Sequence, residues 1–239
     1  MGRGRVGSAL AAALDLAGYD VPGPYGRGEV PAGCDAILLC VPDAEIPAAA
    51  AVVAGAARFV GHTSGATPLT ALEPARCNEL VGLHPLQTVT GPDTDFAGCG
   101  CAVAGSTDAA LDVARRLAVD LGMAPFTVSD PQRAAYHAAA SIASNFLVTL
   151  QAEAEELAES AGIEGFDARR MLGPLVRATV ENWVALGPSR ALTGPVARGD
   201  QATVAAQRAA IVSARPQLEP LFDALVERTE ALVERGVPA

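Results

Sequence analysis

Along the first 129 residues, short apolar runs alternate with alanine-rich stretches in which apolar positions recur at helical spacing. This alternation is typical of a sheet of parallel strands connected by helices. The apolar runs predict strands at Tyr19–Pro22, Ala36–Val41, Arg58–His62, Glu79–Leu83, Cys101–Ala104 and Pro125–Val128. The stretches between them predict helices at Arg5–Ala17, Asp43–Ala54 and Thr107–Leu121.

The pattern changes at Pro131, which follows Asp130 as proline often does at the start of a helix. Helical spacing of apolar residues then continues to about Ala161, before Gly162, and predicts one helix of roughly eight turns. Further helices are predicted at Asp167–Leu186, Asp200–Ser213 and Pro216–Arg235, with Pro188–Gly199 as the one long non-helical connection. We therefore expect an α/β domain at residues 1–129 and an all-helical C-terminal domain at residues 130–239.

Composition narrows the possible functions. The chain has 239 residues, half of them apolar, which is enough for one large domain or two modest ones. Its formal net charge of −10 argues against nucleic acid as a partner, because such binding depends on clustered positive charge. All 17 basic residues are arginines, so Schiff-base chemistry and a phosphate-loop lysine are excluded.

Five cysteines without a secretory signal indicate a reducing compartment rather than a disulfide framework. Cys99 and Cys101 form a C-x-C pair, but no second pair follows at zinc-site spacing, so we expect no metal. The longest apolar stretches, such as Ala36–Val41 and Ala48–Ala54, are far shorter than the roughly 20 residues that span a bilayer. We therefore expect a cytoplasmic protein without a membrane partner.

Gly2–Gly7 matches the pattern G-x-G-x-x-G and leads directly into a strongly helical stretch. In dinucleotide-binding proteins the first glycine allows a tight turn, the second admits the pyrophosphate, and the third lets the helix pack closely. The amides at the start of the helix then bind the phosphates. The predicted phosphate-binding residues are Gly2, Gly4, Arg5, Val6 and Gly7.

This motif departs from the usual pattern in two ways. A strand of about five residues should precede it, but only Met1 does, so the sheet lacks its first strand. We expect a truncated chain rather than a gap in the sheet, because a gap would leave backbone polar groups unpaired. The second departure is that Val21–Arg27 lacks the acid, about 20 residues on, that holds the ribose of NAD. Arg27 could instead meet a 2′-phosphate, which favours NADP, while NAD and a merely solvated Arg27 stay open.

Several segments together resemble one family: Gly2–Gly7, Leu39–Asp43, His62–Gly65, Gly82–Gln87 and Leu192–Asp200. It is a group of Rossmann-like bacterial proteins whose helical C-terminal half is a domain of unknown function, within the 6-phosphogluconate dehydrogenase-like C-terminal superfamily. Relatives include pyrroline-5-carboxylate reductase, ketopantoate reductase, prephenate dehydrogenase and 3-hydroxyisobutyrate dehydrogenase, which transfer hydride between a nicotinamide and a small acid. The resemblance implies an NADP-dependent reductase of a small keto or imino acid, with a ketopantoate-like substrate as first candidate. Further cofactor-binding residues would be Cys40, Val41, Pro42, Thr63 and Ser64.

Many of these relatives carry a Lys-x-x-x-Asn pair on the long interdomain helix, and the matching residues here are Ser141 and Asn145. Serine is a poor proton donor by itself, so the proton must come from elsewhere. The candidates are His84, which ends a strand, His137, which lies two helical turns before Asn145, or an ordered water. His62 ends the preceding strand. It could contribute to the site, or, equally, it could cap the end of that strand.

The remaining candidates concern the substrate. Gln87 follows the His-Pro pair, and Thr193, Gly194 and Pro195 resemble the turn that closes the pocket in pyrroline-5-carboxylate reductases. Arg198 could clamp a carboxylate through two parallel hydrogen bonds, although a surface Arg198 beside a helix-capping aspartate is the alternative. We expect the site between the two halves, completed by a second subunit of a homodimer. A non-catalytic dinucleotide sensor and a truncated inactive product are the competing hypotheses.

Overall fold

The computed structural model describes residues 1–76 and 79–236, and its first part is a five-stranded sheet with helices on both faces. The strands, in sheet order, are β1 (Ala36–Leu39), β2 (Phe59–His62), β3 (Glu79–Pro85), β4 (Gly100–Gly105) and β5 (Ala124–Thr127). β1, β2 and β3 are parallel, as are β4 and β5. The α/β, Rossmann-like class is thereby confirmed.

The expectation of an entirely parallel sheet is wrong at one pair, because β3 and β4 run antiparallel. A parallel pair needs a crossover connection, usually a helix, whereas the segment between these two strands, residues 86–99, contains none. The helices of this part are α1 (Arg5–Leu16), α2 (Ile46–Val52), α3 (Asp108–Asp120) and α4 (Arg133–Ala143). Short 3₁₀ segments lie at Asp43–Glu45, Leu69–Ala75 and Asp130–Gln132.

The predicted strand at Tyr19–Pro22 does not form. Proline has no N–H to donate to a ladder, and both Pro22 and Pro24 lie in this segment. Met1 lies beside β1 instead: its amino nitrogen donates to Leu38 O (2.5 Å) and its carbonyl accepts from Cys40 N (2.7 Å). Two backbone groups, one in β1 and one just after it, are therefore paired by Met1.

The core has two clusters, one on each face of the sheet. Alternate residues of β1 point to opposite faces, so Ile37 and Leu39 join one cluster while Leu38 packs against the other. The first cluster is completed by α2, through Ile46 and Ala50. The second is completed by residues of α1, β3 and α3. A sheet covered on both faces is what a parallel α/β arrangement requires.

The predicted single long helix is wrong at Ser144, where the chain forms a turn between α4 and α5 (Asn145–Ser160). Serine and asparagine side chains compete for nearby backbone groups and are weak helix formers, which favours an interruption at this pair. The chain divides into two compact units, Met1–Asn145 and Phe146–Ala239. The boundary predicted after residue 129 precedes α4, whose residues cluster with the first unit.

The second unit is helical throughout its described elements. These are most of α5, then α6 (Gly165–Leu186), α7 (Pro188–Ala191), α8 (Gln201–Ala214), a 3₁₀ segment at Pro216–Leu218 and α9 (Glu219–Gly236). The connection predicted as non-helical thus contains α7, because Pro188 follows Gly187 and proline is well suited to a helix start. Within residues 1–76 and 79–236, no helix is long and apolar enough to cross a membrane.

Candidate functional site

The glycine turn, Gly2–Gly7, is packed so closely that side chains are excluded at two positions. A Cβ on Gly7 would lie 1.9 Å from the carbonyl oxygen of Gly2. A Cβ on Gly2 would lie 2.1 Å from the carbonyl oxygen of Cys40, and Gly2 has a φ of +114°. The turn, the start of α1 and the end of β1 therefore meet backbone to backbone, as a dinucleotide loop requires.

Gly4, in contrast, is open. A Cβ at this position would have no heavy atom of the described chain within 4 Å. Gly4 is the N-cap of α1, and no side chain of the described residues caps this helix. The first-turn N–H groups, at Arg5, Val6 and Gly7, have no acceptor inside the helix. The start of α1 is therefore suited to bind an anion that approaches over Gly4.

A groove of about 590 Å³ adjoins this turn. Six of the residues predicted to bind a cofactor line it: Gly2, Gly4, Arg27, Cys40, Val41 and Pro42. Its volume lies within the range of small-molecule sites, which is roughly 300–1,000 Å³. The structure therefore brings together residues that the sequence separates by up to about 40 positions.

Two exposed ion pairs lie at this groove. Arg27 donates to both carboxylate oxygens of Glu45 (2.8 and 2.7 Å), and Arg3 donates to both oxygens of Glu29 (3.0 and 2.9 Å). Glu29 also accepts from the Gly26 N–H (2.6 Å). Neither acid was predicted from the sequence, because the acid of a dinucleotide site is expected at the end of a strand that does not form here. Exposed pairs of this kind contribute little stability, so a ligand can displace them.

A second group of polar side chains, the histidine cluster, consists of His62, His84, Tyr136 and His137, and so holds all three histidines of the chain. β2 and β3 are parallel neighbours, so His62 and His84 lie near the same edge of the sheet, while α4 supplies the other two residues. Tyr136 was not predicted as a site residue from the sequence, although it is adjacent to the candidate His137 on the predicted helix.

His62 is fully buried at the end of β2. Its Nδ1 accepts a hydrogen bond from the Ser64 N–H (3.2 Å), and its Nε2 has no hydrogen-bond partner among the described residues. Burial, followed by the charge of Arg133, lowers the pKa of His62. The imidazole is therefore neutral near pH 7, with its proton on Nε2.

His84 and Tyr136 form a hydrogen-bonded pair. Tyr136 Oη lies 2.7 Å from His84 Nδ1, and the two rings meet edge to face. Burial, with a smaller contribution from His137, lowers the pKa of His84 to about 4, although Asp43 acts in the opposite direction. Burial also raises the pKa of Tyr136 to about 12. Near pH 7 the imidazole is uncharged and the phenol keeps its proton.

Gly65 closes one side of this cluster. A Cβ on Gly65 would lie 2.8 Å from His84 Cε1 and 2.9 Å from His137 Cδ2, so its backbone packs against both imidazoles. The preceding residue, Ser64, donates from its hydroxyl to Asp43 (2.8 Å), the residue after the groove-lining Pro42. The loop after β2 therefore links the groove to the histidine cluster.

The other residues predicted for chemistry are more dispersed. Ser141 lies on α4, one turn after His137, whereas Asn145 is the first residue of α5, beyond the interruption. The expectation that His137 and Asn145 share one continuous helix is therefore wrong. Gln87 is held by its own loop, since its amide donates to Asp95 O (3.0 Å) and accepts from Thr88 N (2.9 Å).

Four predicted substrate residues belong to the helical unit: Thr193, Gly194, Pro195 and Arg198. They precede α8, whose N-cap, Asp200, accepts from the Thr203 N–H at 3.0 Å. The helix-capping role considered for this aspartate is thus present, and Arg198 is exposed. Their role in substrate binding stays a prediction.

Within the described residues, no three His, Cys, Asp or Glu side chains are grouped so that they could hold a metal ion. The described cysteines are all free thiols: Cys34, Cys40, Cys99 and Cys101. The fifth, Cys77, lies outside the described residues.

The fold and the glycine turn define a Rossmann-like α/β protein with a helical C-terminal unit. Residues 99–229 match the family described as Domain of unknown function (DUF2520), and the chain belongs to this family. A search of curated proteins finds no match to the chain.

Solved structures resemble the chain over most of its length. A Bacteroides fragilis protein, provisionally described as an NADP oxidoreductase, is 20% identical with a TM-score of 0.83 and 96% of each chain covered. Protein TM1727 of Thermotoga maritima is 22% identical with a TM-score of 0.74, over 84% of this chain and 80% of that one. Pyrroline carboxylate reductase of Plasmodium falciparum, solved with NADP bound, is 12% identical with a TM-score of 0.63, over 98% and 96%. These similarities establish a shared fold.

Proposed function

We propose that the protein is an NADP-dependent oxidoreductase that reduces a small keto or imino acid, with a ketopantoate-like acid as the first candidate. The observation that carries this proposal is the link between two features. An uncapped glycine turn opens onto a groove lined by Pro42, and the next residue, Asp43, accepts a hydrogen bond from Ser64. The residue after Ser64, Gly65, packs against His84 of the His84–Tyr136 pair. Two similar structures support the cofactor, one described as an NADP oxidoreductase and one solved with NADP bound.

The residues at the groove fit a dinucleotide. The N–H groups of Arg5, Val6 and Gly7 would hold its phosphates, and the open backbone at Gly4 would allow the close approach that this requires. Arg27 would meet the 2′-phosphate of NADP after release from Glu45. NAD stays the alternative, because Glu45 or Glu29 could instead accept from ribose hydroxyls.

When bound, a reduced nicotinamide supplies a hydride, and the chain's own residues must supply the proton. His84 and His137 are the proposed donors, since both belong to the histidine cluster, and the neutral His84 can hydrogen-bond a carbonyl oxygen without adding charge to a buried site. Ser141 and Asn145 would contribute further polar contacts. Arg198, with Thr193, Gly194, Pro195 and Gln87, stays our candidate for binding the substrate carboxylate.

We also propose that the protein is a homodimer. Large apolar side chains are unusually exposed along α6, including Phe166 (81%), Val184 (72%) and Trp183 (55%). Trp183 and Val184 are adjacent in sequence, and exposed apolar patches commonly mark an interface between proteins. Sedimentation analysis checks this, and a monomer at micromolar concentration contradicts it.

A second candidate function is a dinucleotide-binding sensor without catalysis. It is favoured by Ser141, which stands where many similar reductases carry a lysine, and by the absence of lysine from the chain. A sensor would bind NADPH but would not oxidise it with any acid.

The test combines binding with turnover. NADPH should raise the melting temperature of the protein more than NADH does. Gly4→Ala should abolish most of this shift, while the ligand-free melting temperature falls only slightly because alanine is a poorer N-cap than glycine. The protein should then oxidise NADPH with at least one acid in a panel of 2-keto and cyclic imino acids. No shift with either nucleotide contradicts the whole proposal, whereas a shift without turnover favours the sensor.

A further inference from the structure

Tyr136 holds a fixed position beside His84. Its hydroxyl oxygen is 2.7 Å from His84 Nδ1, and its ring meets both His84 and Phe126 edge to face, at centroid distances of 5.6 and 5.8 Å. Contacts on two sides restrict rotation of the phenol. The packing of the ring therefore holds the hydroxyl within hydrogen-bonding distance of His84.

The direction of this hydrogen bond determines where the imidazole carries its proton. A tyrosine hydroxyl near neutral pH is protonated, and the pKa of Tyr136 is raised further by burial. Among the described residues, His84 Nδ1 is the only hydrogen-bond partner of the Tyr136 hydroxyl, so the phenol proton points to Nδ1, which is the unprotonated, accepting nitrogen. The proton of His84 then lies on Nε2, the nitrogen on the side of Gly65 and His137.

We propose that Tyr136 is a positioning residue that fixes the Nε2–H tautomer of His84. When Nε2 gives its proton to the substrate, the Tyr136 hydroxyl supplies a proton to Nδ1. The first half concerns the protein alone. The second half rests on the proposed reductase function. Neither half was expected from the sequence, which indicated His84, His137 or water as independent donors.

A bound dihydronicotinamide would supply the hydride by breaking one of its C–H bonds, so that a C–H bond would form at the carbonyl carbon and the π electrons of the C=O bond would move to oxygen. The N–H bond at Nε2 breaks as an O–H bond forms on the product. The O–H bond of Tyr136 breaks as an N–H bond forms at Nδ1, so His84 stays neutral. The tyrosinate that remains takes a proton from water after the product leaves.

The alternative routes through His84 are less favourable. The imidazolium form is scarce at pH 7, because the pKa of His84 lies near 4. Loss of the Nε2 proton without replacement at Nδ1 would leave an imidazolate, which is a much stronger base than a phenolate. The other titratable and charged groups that face the ring are His62, His137, Asp43 and Arg133, and of these only Asp43 favours the cation.

The test uses the full chain without cofactor, labelled with ¹⁵N in the histidine rings. The spectrum will contain signals from three imidazoles, and the signals that disappear in His84→Gln are those of His84. In the wild type we expect an unprotonated Nδ1 and a protonated Nε2. Tyr136→Phe removes only the hydroxyl, so His84 should become a mixture of tautomers and its pKa should rise, because the neutral ring loses its hydrogen bond. Tyr19→Phe is the matched control, since it removes the hydroxyl bonded to Asp120 and should leave the His84 signals unchanged.

Unchanged His84 shifts and pKa in Tyr136→Phe, with the fold intact by circular dichroism, overturn the proposal. For the second half, kcat with NADPH and the keto acid should fall about tenfold or more, without a matching change in the KM for NADPH. An unchanged kcat overturns the proton replacement. If the ring signals change as expected but the wild type turns over no acid, the reductase function fails while the positioning role stands.

Discussion

The glycine turn and the histidine cluster lie at the ends of neighbouring strands, yet they are built from different parts of the chain. The turn is made by the main chain of Gly2, Gly4 and Gly7, residues close in sequence, and no titrating side chain takes part. The cluster is made by side chains from two strands and a helix, and its hydrogen bonds depend on protonation. Under the proposed function, the comparison separates phosphate binding, which would depend little on pH, from proton chemistry, which would depend on it.

The largest expected effect separates these regions directly. His84→Gln should lower kcat by about 100-fold or more, because a positioned proton donor commonly contributes 10²–10⁴. The dissociation constant of NADPH, measured by nucleotide fluorescence, should stay within about threefold, because the phosphates would be held at the turn. Equal losses of binding and turnover would show that the two regions are not separate.

Gly7→Ala should instead damage the turn. Its Cβ would lie 1.9 Å from the Gly2 carbonyl oxygen, so backbone must move. We expect the free energy of unfolding in urea to fall by about 1–3 kcal/mol, as for overpacked cores, and NADPH binding to be lost. Gly91→Ala is the matched control, because a Cβ there has no neighbour within 4 Å and its φ is ordinary. A stability of Gly7→Ala equal to that of this control contradicts the tight packing.

The pH dependence of the free energy of unfolding tests the histidine cluster rather than the glycine turn. The pKa of His84 is about 4 in the folded protein and 6.5 in the unfolded chain. Between these values the unfolded chain binds a proton that the folded protein does not, so stability falls as pH drops from 6.5 to 4. Wild type should lose about 2–3 kcal/mol more than His84→Gln over this range, by urea unfolding at each pH. Identical pH profiles would mean that His84 is not held neutral.

The glycine turn and most of the fold could be predicted from the sequence because both depend on local patterns. Five of the six predicted strands formed, and α1, α2 and α3 lie where the pattern placed them, although a 3₁₀ turn opens the segment that holds α2. The failures came from residues that break strands or helices within otherwise suitable apolar patterns. Pro22 and Pro24 disfavour a strand at Tyr19–Pro22, and a turn at Ser144 divides the long helix.

The histidine cluster was only partly predictable. The sequence indicated His84 and His137 as separate candidates, each at an element end or on a helix face. It could not indicate that Tyr136 would bond His84, since 52 residues separate them and the contact depends on how α4 packs on β3. Glu29 and Glu45 were missed for the same reason, because their partners are brought close only by folding.

The smallest expected effect concerns which nucleotide the turn prefers. Arg27 is paired with Glu45 at the exposed rim of the groove, and a 2′-phosphate would have to replace that carboxylate. Glu45→Gln should therefore increase the affinity for NADPH relative to NADH by about twofold to fivefold, in line with the weak energy of exposed pairs. Arg27→Ala should change the ratio in the opposite direction, and both changes should shrink at high salt because screening weakens exposed charges. Fluorescence titration with each nucleotide measures the ratio. If Glu45→Gln instead weakens NADH alone, Glu45 binds the ribose hydroxyls and the cofactor is NAD. In that outcome the glycine turn would still bind the dinucleotide phosphates, and only the residue that recognises the ribose would differ from the one proposed.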